Sequence, residues 1–330
     1  MNLRRYLVRK AVYVLVTIFL IASLNFFIFQ ILPGDPTRVL IPRGGTSNIT
    51  GQGLRQELIH EWGLDQPVTQ RFVIYMENLL QGNLGTSITY RPGVSVLNVI
   101  GNRLVTTLVL VGIATALTAW LGVVLGRISG WRRGKPSDVA ITMGGLAGYS
   151  MPTFWISLVL QFVFAVQLRW FPLFGERTVG LQNPDVITDL ADRLYHLALP
   201  ILTFVLSNFA IFTLTLRNSL TDVLTEDYML TARAKGLTEE AQLRRHALPN
   251  ARLPVVTVGA FYAGWIVSGA ILIEIVFGFQ GLGKLEWDAV LSNDYPLISG
   301  IFLIATIGVV IANAVADVLY VVLDPRVREA

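Results

Sequence analysis

Six stretches of this 330-residue chain, 11–34, 104–126, 139–168, 194–216, 253–273 and 295–316, each run for more than 20 residues without an Asp, Glu, Lys or Arg. A helix of about 20 apolar residues, rising about 1.5 Å per residue, crosses the roughly 30 Å hydrocarbon layer of a bilayer. Inside that layer every peptide group must find its hydrogen bond within its own segment, so the runs predict six transmembrane helices. The next longest charge-free run, 78–90, is too short and too polar to join them.

The rest of the composition agrees. Charged residues make up 15% of the chain and hydrophobic ones 53%; a water-facing surface cannot be covered with so few charges. The absence of cysteine excludes disulfide scaffolds, thiol nucleophiles, cysteine-ligated zinc and iron–sulfur clusters. Sixteen of the 26 Lys and Arg fall before residue 11, in 127–138, in 217–252 and after 317. The longer connections on the other side hold only 10, so positive-inside charge bias puts both termini in the cytoplasm. Topology thus accounts for the net charge of +4, and no nucleic-acid partner is needed.

The first run exceeds the h-region of a signal peptide and is expected to be a retained anchor. The expected organisation is a cytoplasmic tail with the first helix over 1–34, an external segment over 35–103, and a five-helix core over 104–330. The external segment is glycine-rich early, at Gly44, Gly45, Gly51 and Gly53, and should carry a helix over 68–80. Its Asn48-Ile49-Thr50 is read as a chance glycosylation match.

The longest cytoplasmic connection, 217–252, contains Asp227-Tyr228-Met229-Leu230-Thr231-Ala232-Arg233-Ala234-Lys235-Gly236-Leu237. Ala232 and Ala234 ahead of Gly236 predict a short helix with a left-handed glycine cap and small side chains that permit close approach. Pro249 lies where the fifth span begins and a missing amide proton costs little. On physical grounds this is either a docking element or a basic helix on the membrane surface.

Other candidate chemistry is weak. Gly278-Phe279-Gln280-Gly281-Leu282-Gly283-Lys284 opens like a phosphate loop, but Leu285 stands where a hydroxyl is required, on the side without ATP. Of the histidines, His60 and His246 fall in loops and His196 at the outer edge of the fourth run, so they form no metal cluster and serve no nucleophile. Ser150, Ser157, Ser207 and Ser268 read as packing residues. Glu274 and Asp317 are the ionisable groups nearest the membrane interior, and both sit at span ends. Asn313, Asp317, Tyr320 and Asp324 recur at intervals of 4, 3 and 4, on one helical face. Such a stripe is costly against lipid and should face the pathway, a partner subunit or a neighbouring helix. Glu274 is read as the partner of local backbone or of Lys284.

Thr231, Ala232, Gly236, Leu248 and Pro249 resemble the cytoplasmic loop motif of membrane permease subunits of binding-protein-dependent ABC importers. That motif has two small residues, a glycine four residues after the second, and a Leu-Pro whose proline follows that glycine by thirteen. Leu230 departs from the glutamate that opens the general motif and is similar to the peptide-importer branch. Four further segments resemble that branch in order: Leu32-Pro33-Gly34-Asp35-Pro36; Gly82-Asn83-Leu84-Gly85-Thr86-Ser87; Glu274-Ile275-Val276-Phe277 with Gly281-Leu282-Gly283 and Asp294-Tyr295-Pro296; and Asp324-Pro325-Arg326.

The resemblance implies an all-α polytopic protein of a bacterial inner membrane, with six transmembrane helices and an external insertion between the first two. It implies half of a translocation pathway for di- or oligopeptides, the chain being the first of two unlike permeases. Its partners would be a second homologous permease, two cytoplasmic ABC ATPases that hydrolyse the ATP, and an extracytoplasmic solute-binding protein. No cofactor is implied. Tyr228, Thr231, Ala232, Arg233, Ala234, Lys235, Gly236, Leu248 and Pro249 would couple the chain to the ATPases. Glu274, Asn313, Asp317 and Tyr320 are the candidates for the pathway or a subunit interface. The alternatives are the same importer class carrying a nickel chelate or glutathione, and an ion-coupled secondary transporter.

Overall fold

The structure, a computed structural model, describes residues 3–31, 65–181, 184–265 and 270–323. The expectations for 32–36, for the glycines and Asn48 of the early external segment, and for 324–326 lie outside the described residues. Within them the regular structure is helical, apart from one isolated bridge between Thr86 and Ser95.

The elements are α1 (Leu3–Phe26, continued by a π-helical turn over Phe27–Ile31), α2 (Val68–Leu80), α3 (Val96–Trp131), α4 (Pro136–Ser150), α5 (Thr153–Leu160, continued by a π-helical Gln161–Gln167), α6 (Val186–Val223) and α7 (Asp227–Ala234). After a helical connector, Glu239–Ala241, Gln242–Ala247 and Leu248–Ala251, come α8 (Leu253–Trp265), α9 (Ile271–Phe277), α10 (Leu282–Leu291) and α11 (Tyr295–Leu323). The helix expected over 68–80 is present with those bounds.

Four helices, α1, α3, α6 and α11, are long and apolar enough to cross a membrane, and a fifth crossing is counted if α4 and α5 together make one. The single helix expected over 139–168 is therefore corrected: α4 and α5 are bent by 102° at Met151-Pro152. Pro152 offers no amide proton and disfavours helical geometry in the residue before it. Met151 accordingly lies at φ −83° and ψ 137°, and the chain restarts as α5. Among the described residues, the run 253–273 is represented by α8, described to Trp265, and by α9, which begins after a non-helical Ala270 at φ −119° and ψ 69°. Other helices outrun their charge-free cores: α3 has 36 residues and α6 has 38, about 54–57 Å each, so their charged ends project beyond the hydrocarbon.

The centre of the molecule is the contact of α3 with α6. Apolar helices gain little by leaving lipid for one another, so association rests on close backbone approach. Gly122, Gly126 and Gly130 of α3 supply it. A Cβ at Gly122 would lie 2.3 Å from Phe212 Cβ, one at Gly126 2.7 Å from Thr213 O, and one at Gly130 3.0 Å from Leu220 Cδ2. On the flank, Gly148 of α4 leaves the same room for Leu206 O. Three apolar clusters surround this pair. One joins Val96 and Ile100 to Leu282, Leu285 and Leu297. Another joins Leu110 and Leu199 to Ile273 and Phe277. The third, at the far end of α6, carries the connection described next.

Candidate functional site

The chain leaves α6 by a tight turn and forms α7, with Asp227 in its first turn and Arg233 in its last, each favourably placed for the helix dipole. Gly236 follows at φ +72°. Its amide donates to Arg233 O at 2.9 Å, and the Leu237 amide donates to Ala232 O at 3.4 Å, which together make a Schellman cap. The left-handed glycine cap expected from the sequence is thus present. Gln242 Nε2 secures the following turn by donating to Leu237 O at 2.7 Å.

Met229, fully buried, inserts among Leu216 and Leu220 of α6 and Leu243 and Ala247 of the connector. Ala232, three residues on, shares that inward face and is also buried. The close approach that Ala232 makes here is to its own chain. Tyr228, Leu230, Thr231, Arg233, Ala234, Lys235 and Gly236 are exposed, while Leu248 and Pro249 are half-buried where the connector meets α8. The helix therefore has one seated face and one free face.

A second anchor holds the same end of the molecule. Asp138, 2% exposed, accepts from Arg217 Nε at 2.6 Å and Arg217 NH2 at 2.8 Å, from Ser129 Oγ at 2.5 Å and from Gly134 N at 2.8 Å. This bidentate pair ties the α3–α4 turn to the end of α6. The sequence reading missed it, counting Arg217 only as topological charge; the available signal was a lone Asp among the basic residues of 127–138.

At the opposite end, separate sequence segments converge. Asp294 Oδ2 accepts from Ser87 Oγ at 2.5 Å and from the amides of Ile88, Thr89 and Tyr90, each at 3.0 Å. Two of the segments quoted for their family resemblance, 82–87 and 294–296, therefore meet. Glu274 is fully buried; it accepts from Thr107 Oγ1 at 2.7 Å and from the Lys284 amide at 2.9 Å, while the Lys284 ammonium pairs with Asp288 at 2.8 Å. Gly281 is required beside it, since a Cβ there would lie 2.4 Å from the Glu274 carboxylate. His196 is more enclosed than its place in the sequence suggests: α6 begins ten residues earlier, and the Nδ1 proton is donated to Gly175 O at 2.8 Å. Asn25 of α1 joins Ser299 of α11 and Tyr75 of α2, and desolvation raises the Tyr75 hydroxyl to about 12.

The polar stripe of α11 is not brought to these sites. Asn313 and Asp317 are exposed, and Asp317 pairs with Lys10 of α1. The Tyr320 side chain and Asp324 lie outside the described residues. A cavity of about 530 Å³ opens instead between α4, α6, α8 and α9. Among the described residues, its lining carries the polar groups of Tyr149, Thr153, Asn208 and Tyr262 and no charged side chain. Tyr262 donates to Asn208 Oδ1 at 3.3 Å.

Residues 122–329, which hold the α7 connection, the Asp138 anchor and most of this cavity, match the family model of the binding-protein-dependent transport system inner membrane component. The chain belongs to that family. Residues 3–111 match the N-terminal model of such membrane components. These inner membrane components have relatives along nearly the full length of the chain. It is 34% identical over 324 residues to the oligopeptide transport system permease protein AppB of Bacillus subtilis, covering 98% of this chain and 99% of that one. It is 35% identical over 341 residues to the di/tripeptide transport system permease protein DppB of Pseudomonas aeruginosa, covering 98% of each. It is also 35% identical over 324 residues, again 98% of each, to the glutathione transport system permease protein GsiC of Escherichia coli. The chain is thus a multi-pass membrane protein and a permease component.

Proposed function

We propose that this chain forms half of the pathway of an ATP-driven importer for di- or oligopeptides. It pairs with a second, homologous permease as the first of the two, receives substrate from an extracytoplasmic binding protein, and is driven by two cytoplasmic ATPases. The observation that carries the mechanism is the two-faced α7: Met229 seats it in the cluster formed by the end of α6 and the connector, Ala232 is buried beside it, and its remaining surface is free to enter a groove of an ATPase. Closure of the ATPases then pushes on α6 and, through Asp138, on α3. No bond is made or broken by this chain; ATP hydrolysis belongs to the separate subunits.

Counting α4 with α5 as one crossing and α8 with α9 as another brings the spans to six, with both termini cytoplasmic and 35–103 external. The 530 Å³ cavity supports a passage that hydrogen-bonds peptide groups through Asn208 and Tyr262 while leaving side-chain charge unselected. The peptide reading rests on the relatives named for oligopeptides and di/tripeptides. The relative named for glutathione favours a second reading, glutathione as cargo. Uptake of a radiolabelled dipeptide by the assembled importer, with unlabelled glutathione as competitor, separates them. Purification of this chain without an ATPase subunit from cells expressing the whole system would remove the mechanism.

A further inference from the structure

A polar cavity of about 570 Å³ lies between the end of α3 and the α7 connection, outside the passage and on the inward side of the coupling surface. Trp131, Arg132 and Lys135 line it from the α3–α4 turn, and Arg233 and Glu239 from the other side. A second cavity of about 220 Å³ shares Trp131 and Arg132 with it and is walled by Arg127, Ile128 and Leu243. Among the described residues, none of Arg127, Arg132, Lys135 and Arg233 has a carboxylate within ion-pair distance. Four uncompensated cations and one carboxylate therefore border a space large enough for an anionic group.

We propose that the two cavities seat one anionic phospholipid of the cytoplasmic leaflet. Its phosphate lies among Arg132, Lys135 and Arg233, and the start of an acyl chain lies along Ile128 and Leu243. Three observations select a lipid over a soluble anion. The polar chamber is continued by one whose walls are mostly apolar, from Ile128, Trp131 and Leu243, with Arg127 and Arg132 beside them, as an amphiphile requires. Both chambers open where α3, a helix long and apolar enough to cross a membrane, ends at Trp131, five residues past its charge-free run. Trp131, shared by both, is the residue type that membranes hold at headgroup depth. Basic pockets between spans on this side attract anionic headgroups. The inference rests on the cytoplasmic placement of 127–138 and 217–252 proposed above. It has a consequence for coupling: one headgroup bridges α7, through Arg233, to the α3–α4 turn that Asp138 ties to α6.

The test uses the assembled importer with Arg132→Gln and Lys135→Gln combined, leaving Arg233 and the rest of α7 intact. Phosphatidylglycerol is titrated onto the complex in neutral detergent and counted by native mass spectrometry. ATP-driven peptide uptake is then measured in phosphatidylcholine vesicles with and without phosphatidylglycerol. The two substitutions should weaken binding of one phosphatidylglycerol by roughly 30-fold, about fivefold per charge, and abolish its stimulation of uptake. ATPase co-purification and uptake in pure phosphatidylcholine should be unchanged. Unaltered retention and stimulation would overturn the proposal. So would loss of the ATPases, which would make the cavity a socket for an acidic segment of those subunits, or displacement of the lipid by millimolar inorganic phosphate, which would make it a soluble-anion site. Peptide uptake by the unsubstituted complex is read separately, so a lipid-indifferent importer sinks this inference and leaves the transport reading standing.

Discussion

Asp138 shows what a single carboxylate does at the end of a membrane helix pair. Five donors surround it, Thr142 Oγ1 at 3.3 Å included, and the fork of Arg217 meets both of its oxygens. Removing the carboxylate strands a partly buried guanidinium, which costs about 3–5 kcal/mol, whereas replacing both partners with apolar residues is often close to neutral. Asp138→Leu should therefore lower the denaturation midpoint in detergent sharply, and Asp138→Leu with Arg217→Leu should recover much of the loss. Equal damage from the single and double variants would show that the pair is not the source. The chemistry of this site was not legible in the sequence, because 79 positions separate the partners and each has an ordinary explanation alone. Glu274 was more legible: its backbone partner at Lys284 is ten residues away, within the reach of local reasoning, although Thr107, 167 positions distant, was not.

The connection after α6 was the most legible element, since its helix and glycine cap are set by neighbours in the chain. What periodicity could not supply was the direction in which α7 faces. Met229 points inward because the end of α6 presents Leu216 and Leu220 to it, and the connector Leu243 and Ala247, a contact between elements. Truncating Met229 to Ala removes a fully buried side chain, a change worth about 2–5 kcal/mol in a soluble core. It should loosen α7 and reduce uptake while the ATPases still co-purify, because the outward face is untouched. Gly236→Val acts differently. No atom lies within 4 Å of the Cβ position, so the difficulty is the backbone at φ +72°, where a residue with a Cβ pays about 1–2 kcal/mol and a β-branched one more. Uptake should fall with normal accumulation of the chain in the membrane, and Gly236→Asn should be tolerated better than Gly236→Val. The reverse order in an uptake assay would remove the conformational argument. Charge removal at Lys235 harming uptake more than either glycine substitution would favour a surface helix.

The molecule as a whole has no cysteine, so single introduced cysteines report topology without background. A cysteine replacing Gly45 should react with an impermeant maleimide from outside, and one replacing Lys235 only after permeabilisation; the opposite pattern would invert the proposed orientation. The first and last spans are linked by Lys10 and Asp317. Asp317→Leu should impair assembly and uptake, and adding Lys10→Leu should restore both if the ion pair is what matters. The number of crossings was legible only as charge-free runs, because hydropathy does not see the bend at Pro152, which depends on where backbone hydrogen bonding is interrupted. The glycines at 122, 126 and 130 have a mechanical meaning beyond packing. They bring α3 so close to α6 that neither can slide or rotate on the other without steric overlap, and Asp138 locks one end. The pair is thus a beam about 54 Å long. A tilt of ten degrees about its midpoint would carry each end roughly 5 Å in opposite directions. In the coupling proposed above, a push received at one end of this pair is carried to the other.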